Sequence, residues 1–174
     1  DDDIYYPNHL GTLIGAIGHG KASVAYTDAL ERVQQAQSFG YITIRERIPF
    51  SFDFDAGRML FENYIPILTL AHLAEALDST GHFDEELSSH EDWDFMIRLS
   101  QRYSFQHIPL VTASYSTRIN EVSNLRSNSA NILQTYHEVF ERFAHLRNDL
   151  KPECALEQLP RAFLINIGFL KSAS

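Results

Sequence analysis

The chain has 174 residues, of which 44% are hydrophobic and 21% are charged, a composition typical of a globular protein rather than a disordered one. Its formal net charge of -9 argues against nucleic-acid binding, because a phosphate backbone requires clustered Lys and Arg side chains. The single cysteine, Cys154, cannot form an internal disulfide and predicts a reducing compartment. No run of 18 apolar residues is present, so we expect no transmembrane segment.

The first third of the chain predicts one helix followed by strands. The apolar residues of "HLGTLIGAI" have the i, i+3, i+4, i+7 spacing of an amphipathic helix, which Gly18 is expected to end. Three short strands are predicted next, with Gly40 as the turn between the last two. They are "SVAYTDAL", "RVQQAQSF" and "YITIRERI".

The middle of the chain alternates between helix and strand patterns. Asp55 is expected to cap a short helix, and Pro66 to end it before a strand over "PILTLAHL". Gly81 closes the predicted helix "AEALDSTG", and "FDEELSS" reads as a loop. A helix over "HEDWDFMIRLSQR" and a strand over "SFQHIPLVTASYS" complete the mixed part.

The pattern after residue 118 is helical, with predicted helices "ANILQTYHEVFERFAHL" and "ALEQLPRAFLINIGFL". We therefore predict an α/β domain over residues 1–118 and a C-terminal helical extension over residues 119–174. The apolar face of the last helix predicts packing onto an adjoining domain or a homodimer partner. Both ends of the chain interrupt a pattern, so we interpret the sequence as a fragment of a longer protein.

Three adjacent carboxylates, Asp1, Asp2 and Asp3, open the chain. Alternate side chains of a strand face the same side, so Asp1 and Asp3 would point into one site. Mg²⁺ and Mn²⁺ prefer oxygen ligands, and at phosphate sites one or two carboxylates usually hold the ion. The alternative is a solvated acidic end that benefits from the dipole of the following helix. Both interpretations stay open on the triplet alone.

Two segments, "DDDIYYPNHLGTLI" and "GHFDEELSSHEDWDFMIRL", carry a resemblance to a known family. They resemble the Asp-x-Asp segment and the Gly-x-Phe-Asp-Glu loop with its following Glu-Asp motif in glycosyltransferase family 2. The resemblance covers residues 1 to about 118, which correspond to the second half of such an enzyme. It implies the GT-A fold, a mixed sheet with flanking helices, and inverting transfer of a sugar from a nucleotide-diphosphate sugar to an acceptor hydroxyl.

The resemblance also implies a biological setting. Family members commonly serve bacterial glycan or polysaccharide synthesis, with a glycan or a lipid-linked acceptor. We predict a cytoplasmic location, with the inner face of the membrane as the alternative. The front half of such an enzyme, which binds the nucleoside, is not represented in these residues. The fragment alone is therefore expected to bind nucleotide sugar weakly and to be inactive.

The metal site is the first role that the resemblance assigns. Asp1, Asp2 and Asp3 would hold Mn²⁺ or Mg²⁺ against the donor diphosphate, and which two are direct ligands stays open. Some relatives add a late histidine ligand, but the corresponding "YSTRIN" has none. Arg118, in that stretch, would approach the diphosphate instead.

The catalytic base is the second role. By resemblance, Asp92 would take the proton of the acceptor hydroxyl, and Glu91 would tune it as a neighbouring acid. The alternative is structural, because Ser89 and Asp92 have the spacing of a helix capping box. Both roles can coexist on one carboxylate.

Substrate contacts are the third role. Asn63, Gly81, Asp84, Glu85 and Trp93 lie in segments that, in the family, pass close to the sugar or the acceptor. For Trp93, packing in the core is favoured over a position lining the acceptor site. For Asp84 and Glu85, the alternative is a structural role as acidic residues of a turn. Asn63 is more often structural than functional in such a segment.

Two other functions are consistent with parts of the sequence. A non-catalytic GT-A-like module for protein interaction or carbohydrate binding would keep the fold without the chemistry. A nucleotidyltransferase would also place acids beside a nucleotide, but it would need a glycine-rich basic loop, and the sequence shows none.

Overall fold

The computed structural model describes residues 3–18, 22–119 and 122–147. Five strands are present in this part of the chain: β1 (Ile4–Tyr5), β2 (Val24–Gln37), β3 (Gly40–Arg47), β4 (Leu70–His72) and β5 (Phe105–Ile119). The α-helices are α1 (His9–Ile17), α2 (Ala56–Met59), α3 (Glu75–Thr80), α4 (Glu91–Ser100), α5 (Val122–Arg142) and α6 (Ala144–Arg147). A 3₁₀ turn over Ile67–Thr69 precedes β4.

The five strands form one mixed sheet in the order β1-β5-β2-β3, and β4 pairs with the start of β2. β2 and β5 are parallel, whereas the other pairs are antiparallel. Parallel strands need a long crossover connection, and here it contains α2, α3 and α4. The predicted α/β class is confirmed as a mixed sheet with flanking helices, compatible with part of a GT-A domain.

One strand prediction is wrong. The segments 23–30 and 32–39, predicted as two strands, form the single strand β2. No turn residue separates them, and β5 pairs along both halves. The register between the two strands shifts near Thr27–Ala29, so an irregularity accommodates the change of pairing without ending the strand.

Several predicted element ends are confirmed. The Asp55 side chain accepts a hydrogen bond from the backbone N–H of Arg58 at 2.9 Å and caps α2. α1 ends next to Gly18, and α3 ends at Gly81. Gly81 has a φ of 76°, a left-handed conformation that glycine adopts without a steric penalty.

The two faces of the sheet carry different helices. Val24 and Tyr26 face the larger core, which contains side chains of α2, α3, α4 and α5, whereas Ala25 packs with Leu13 of α1. Successive strand residues point to opposite faces, so β2 is covered on both sides along this stretch. No described helix is both long and apolar enough to cross a membrane.

The helix α5 belongs to the same core as α4. Val139 is buried, and the ring of Tyr136 stacks on Trp93 with a centroid distance of 5.0 Å. Residues from the predicted extension therefore pack directly against the mixed α/β part. The last predicted helix, "ALEQLPRAFLINIGFL", lies outside the described residues.

A charged group on the sheet joins three strands. Glu31 of β2 accepts hydrogen bonds from Arg47 of β3 and, at 2.8 Å, from Thr117 of β5. Burial opposes ionisation of Glu31, but the hydrogen bonds from Arg47 and Thr117 outweigh it, so the pKa of Glu31 lies below its usual value.

Substituting Arg47→Ala should lower the free energy of unfolding at neutral pH by about 1–2 kcal/mol, because buried Glu31 loses a charged hydrogen-bond partner. The folded-state pKa of Glu31 is depressed, so the stabilisation is present above its unfolded pKa and is lost as pH falls through the folded value. The difference between the proteins should therefore shrink in acid, as measured by urea unfolding at about pH 7 and pH 3.

Glu46→Ala is the matched control on the same strand, because it removes only the exposed Arg32–Glu46 pair. We expect an effect below about 0.5 kcal/mol from it. Equal losses of unfolding free energy from the two substitutions would contradict a stabilising role for the Glu31–Arg47 contact. A loss from Arg47→Ala that stays constant with pH would contradict it as well.

Candidate functional site

A cleft of about 290 Å³ brings together side chains from the start, the middle and the end of the sheet region. Its polar lining consists of Asp3, Asn63, Asp92 and Tyr115. Phe50 and the segment 65–68 contribute apolar wall. Of the site residues predicted from the sequence and described here, the structure thus places Asp3, Asn63 and Asp92 in one cleft.

Strand pairing positions Asp3. Ile4 of β1 pairs with Ser114 of β5, so the preceding Asp3 lies beside Tyr115. Burial, followed by the nearby charge of Glu31, raises the pKa of Tyr115 to about 12. Its phenol therefore stays protonated at neutral pH and can both donate and accept a hydrogen bond beside Asp3.

The first turn of α4 positions Asp92. Its Oδ1 accepts a hydrogen bond from the backbone N–H of Trp93 at 2.7 Å. The Nδ2 amide of Asn63 lies 3.2 Å from each of its two oxygens. These donors hold a half-buried carboxylate in one orientation at the wall of the cleft.

The capping-box interpretation of Ser89 and Asp92 is wrong. α4 begins after His90, which has a φ of 60° and makes no side-chain cap hydrogen bond. The Ser89 hydroxyl instead contacts His90 Nδ1 at 3.0 Å and Thr135 Oγ1 at 2.8 Å. The left-handed backbone of His90 is uncommon for a residue with a side chain, and such residues concentrate near functional sites.

Three other predicted residues lie outside the cleft lining. Glu91 is exposed at the first position of α4, and Trp93 is fully buried in the core. Arg118 lies over the ring of Tyr41, with its guanidinium carbon 4.4 Å from the ring centroid. Strand alternation places Arg118 on the sheet face opposite Tyr115.

The loop after α3 holds the remaining predicted residues. Arg98 donates hydrogen bonds to the backbone carbonyls of Thr80 and, at 2.8 Å, of His82, so it clamps the chain around Gly81. Asp84 accepts a hydrogen bond from Arg142 at 2.8 Å, which lowers the pKa of that carboxyl. Glu85 is exposed. In this structure the backbone on either side of Gly81 is thus held by Arg98 of α4, and the Asp84 carboxyl is held by Arg142 of α5.

Arg142 also reaches the core. Asp94 of α4 is fully buried and accepts hydrogen bonds from Arg98 and Arg142, each at 2.8 Å. A buried carboxylate needs such partners, because its desolvation is not otherwise compensated. Arg142 therefore fastens α5 both to α4 and to the loop at Asp84.

Sequence reasoning did not select Tyr115 as a site residue. It lies within a strand pattern, and no spacing relates it to the acidic opening of the chain. Only the pairing of β1 with β5 places it beside Asp3. Residues 66–68 of the apolar wall were predicted as the start of a strand, and the resemblance placed the segment that begins at Asn63 close to the sugar and the acceptor.

Among the described residues, Asp3 has the oxygen donor chemistry that a hard cation prefers. Within residues 3–18, 22–119 and 122–147, no group of three or more His, Cys, Asp and Glu side chains is arranged to hold a metal. Asp1 and Asp2 lie outside these ranges. Asp3 nevertheless presents an exposed carboxylate to the cleft, and Mg²⁺ at phosphate sites is often held by one or two carboxylates together with phosphate oxygens.

Comparison with known proteins gives one distant relative of interest, and no protein-family model matches the chain. The chain is 24% identical over 117 residues to the uncharacterized glycosyltransferase YwdF of Bacillus subtilis (strain 168). The matched region is 67% of this chain and 42% of the relative, so the chain spans less than half of that protein's length. A distant relationship to a glycosyltransferase is thereby supported.

Substituting Arg142→Ala should lower the free energy of unfolding by about 1–3 kcal/mol, because buried Asp94 keeps only Arg98 as a charged partner. It should also increase amide hydrogen exchange in the loop around Asp84, which loses its contact with α5. The matched control is Glu138→Ala, which removes only a peripheral 3.7 Å contact of the same arginine. A similar loss from both substitutions would show that the buried pair does not fasten α5.

Proposed function

We propose that the chain is part of an inverting glycosyltransferase, which moves a sugar from a nucleotide-diphosphate sugar to an acceptor hydroxyl. The observation that carries the proposal is the convergence of Asp3 and Asp92 on one cleft. One carboxylate is available for cation chemistry and the other for proton transfer. The similarity to a protein named as a glycosyltransferase supports the same class.

Asp92 is the general base of the proposed reaction. As the acceptor oxygen attacks the anomeric carbon, the new carbon–oxygen bond forms and the hydroxyl proton moves to the Asp92 carboxylate. The bond to the diphosphate breaks on the opposite face of the sugar, so the configuration inverts. Asp92 then releases its proton to solvent. The hydrogen bonds from Asn63 and Trp93 suit this role, because they orient an ionised carboxylate at the cleft wall.

Asp3, together with Asp1 and Asp2, forms the proposed binding site for Mn²⁺ or Mg²⁺. When bound, such an ion supplies positive charge that stabilises the leaving diphosphate. Tyr115 lies beside Asp3 with a protonated phenol, which is able to donate a hydrogen bond to a phosphate or sugar oxygen.

The apolar wall indicates the kind of acceptor. Phe50 and the segment 65–68 face the same cleft as the two carboxylates. Sugar rings have apolar faces as well as hydroxyl groups, so a wall of this kind beside acidic groups fits one sugar unit of a glycan or a lipid-linked acceptor. The volume, about 290 Å³, is near the lower end of the range of about 300–1,000 Å³ typical of ligand pockets. Bacterial glycan or polysaccharide synthesis is the setting that we propose.

Asp92→Asn should reduce the turnover number for sugar transfer by about 10²–10⁴-fold, because the amide cannot take the acceptor proton. The matched control is Glu75→Gln, an isosteric change at an exposed carboxyl of α3, which should retain most activity. The measurement is release of nucleoside diphosphate by the full natural chain, across a panel of nucleotide sugars and acceptors.

Near-normal transfer by Asp92→Asn would refute the general-base role. A wild-type chain that binds sugar but transfers none from any donor would favour a non-catalytic carbohydrate-binding module.

Calorimetric titration of Mn²⁺ in the presence of UDP tests whether the N-terminal residues Asp1, Asp2 and Asp3 bind a metal ion. Saturable binding should disappear in an Asp1→Ala, Asp3→Ala double variant, because the proposed ligands are removed. Asp78→Ala, which removes an exposed carboxylate on α3, should leave the binding unchanged. Equal binding by the double variant and the wild type would refute the metal site.

A further inference from the structure

The contact between Asn63 and Asp92 has a defined direction. The Nδ2 atom of Asn63 lies 3.2 Å from Asp92 Oδ1 and 3.2 Å from Asp92 Oδ2. An ionised carboxylate only accepts hydrogen bonds, so the amide must present its nitrogen to it. Rotating the amide by half a turn would place Asn63 Oδ1 against two other acceptors. The carboxylate therefore determines the orientation of the Asn63 amide.

This orientation leaves the other end of the amide unsatisfied. Asn63 Oδ1 is buried, and it finds no hydrogen-bond donor among the residues that the structure describes. A buried acceptor without a donor destabilises the folded state, and such groups call for an explanation. Here the explanation is that both carboxylate oxygens of Asp92 engage the nitrogen.

The core holds both partners in place. Asn63 precedes Tyr64 and Ile65, whose side chains are buried, and the Tyr64 hydroxyl accepts a hydrogen bond from the backbone N–H of Asp55 at 2.9 Å. Asp92 precedes Trp93, whose Nε1–H donates to the backbone carbonyl of Met59 at 2.8 Å. The separation between the amide and the carboxylate is thus set by two buried anchors rather than by mobile surface chain.

We propose that Asn63 is a positioning residue, which holds the Asp92 carboxylate in the orientation needed for proton abstraction. The inference rests on the proposed function, because it assigns Asn63 a task in that reaction. A hydrogen-bond donor favours the charged form of a carboxylate, and a donor shared by both oxygens resists rotation of the group. The role differs from the substrate contact that the family resemblance implies for Asn63.

Two variants separate these roles. Asn63→Ala removes the donor, whereas Asn63→Asp keeps the shape and places a second carboxylate against the first. Both should lower the turnover number by about 10–100-fold, the scale expected when a catalytic group is misplaced, with little change in KM for the acceptor. The acidic limb of the pH–rate profile should move to higher pH, further for Asn63→Asp than for Asn63→Ala. Asn131→Asp, the same isosteric change at an exposed position of α5, should alter neither quantity.

A second measurement does not depend on activity. The side-chain amide resonances of Asn63, observed by NMR, should shift as the pH is lowered and the carboxylate beside them takes up a proton. The shift should be absent in Asp92→Asn, in which the neighbouring group does not titrate. This readout reports the contact directly, even where no donor or acceptor sugar has been identified.

The outcomes are distinguishable. Variants of Asn63 that raise KM alone and leave the pH profile unmoved would overturn the positioning role in favour of substrate contact. Asn63 amide resonances whose chemical shifts change neither with pH nor on Asp92→Asn substitution would overturn the contact itself. Resonances that titrate in a chain that transfers no sugar would overturn the proposed function, and with it the catalytic purpose of the pair.

Discussion

The burial of the Trp93 indole is the interaction on which the geometry of the site depends. The ring is fully buried, stacks on Tyr136 of α5, and donates its N–H to the backbone of Met59 in α2. Large aromatic side chains contribute strongly to core stability, and a buried indole N–H needs a partner such as this carbonyl. Asp92 directly precedes Trp93 in the first turn of α4, so the burial of this ring fixes the backbone that carries the Asp92 carboxylate. Core packing and the position of the candidate base therefore depend on each other.

Charged groups inside the fold are placed where several elements meet. Asp94 is buried between arginines of α4 and α5, and Glu31 is enclosed by residues of β3 and β5. His107 of β5 lies between Asp28 and Asp53, with a carboxylate oxygen 2.9 Å and 3.1 Å from its two ring nitrogens. Each buried carboxylate makes the position of one element depend on another, because it is stable only while its partners remain.

The cleft itself arises from sheet topology. β5 follows α4 in the chain, and the short β1 pairs with the middle of β5. This arrangement places the opening acidic residue Asp3 on the same cleft as Asp92, although the two are far apart in sequence. The proposed reaction needs one carboxylate near the leaving diphosphate and one near the acceptor, and the proposal draws its support from this convergence. Asn63 then links the second carboxylate to the segment after α2, whose next two residues are buried.

Local patterns in the sequence were sufficient to determine much of the secondary structure. The apolar periodicity of α1, the Asp55 cap and the glycine after α3 act within a few residues, so they could be interpreted without the fold. The continuity of β2 could not be predicted from such local patterns. Its second half is stabilised by pairing with β3 and with β5, and β5 lies far along the chain. The capping-box pattern at Ser89 failed for a similar reason, since a contact with Thr135 of α5 engages the hydroxyl.

For the candidate site, the sequence by itself identified acidic residues in a recognisable order, and it favoured core packing for Trp93. Only the tertiary structure decided that Asp3 and Asp92 share a cleft, that Tyr115 of β5 lies beside Asp3, and that Arg118 faces the other side of the sheet. The physical reason is that burial and hydrogen-bond partners depend on strand pairing and helix packing between distant segments. Spacing along the chain does not encode those contacts.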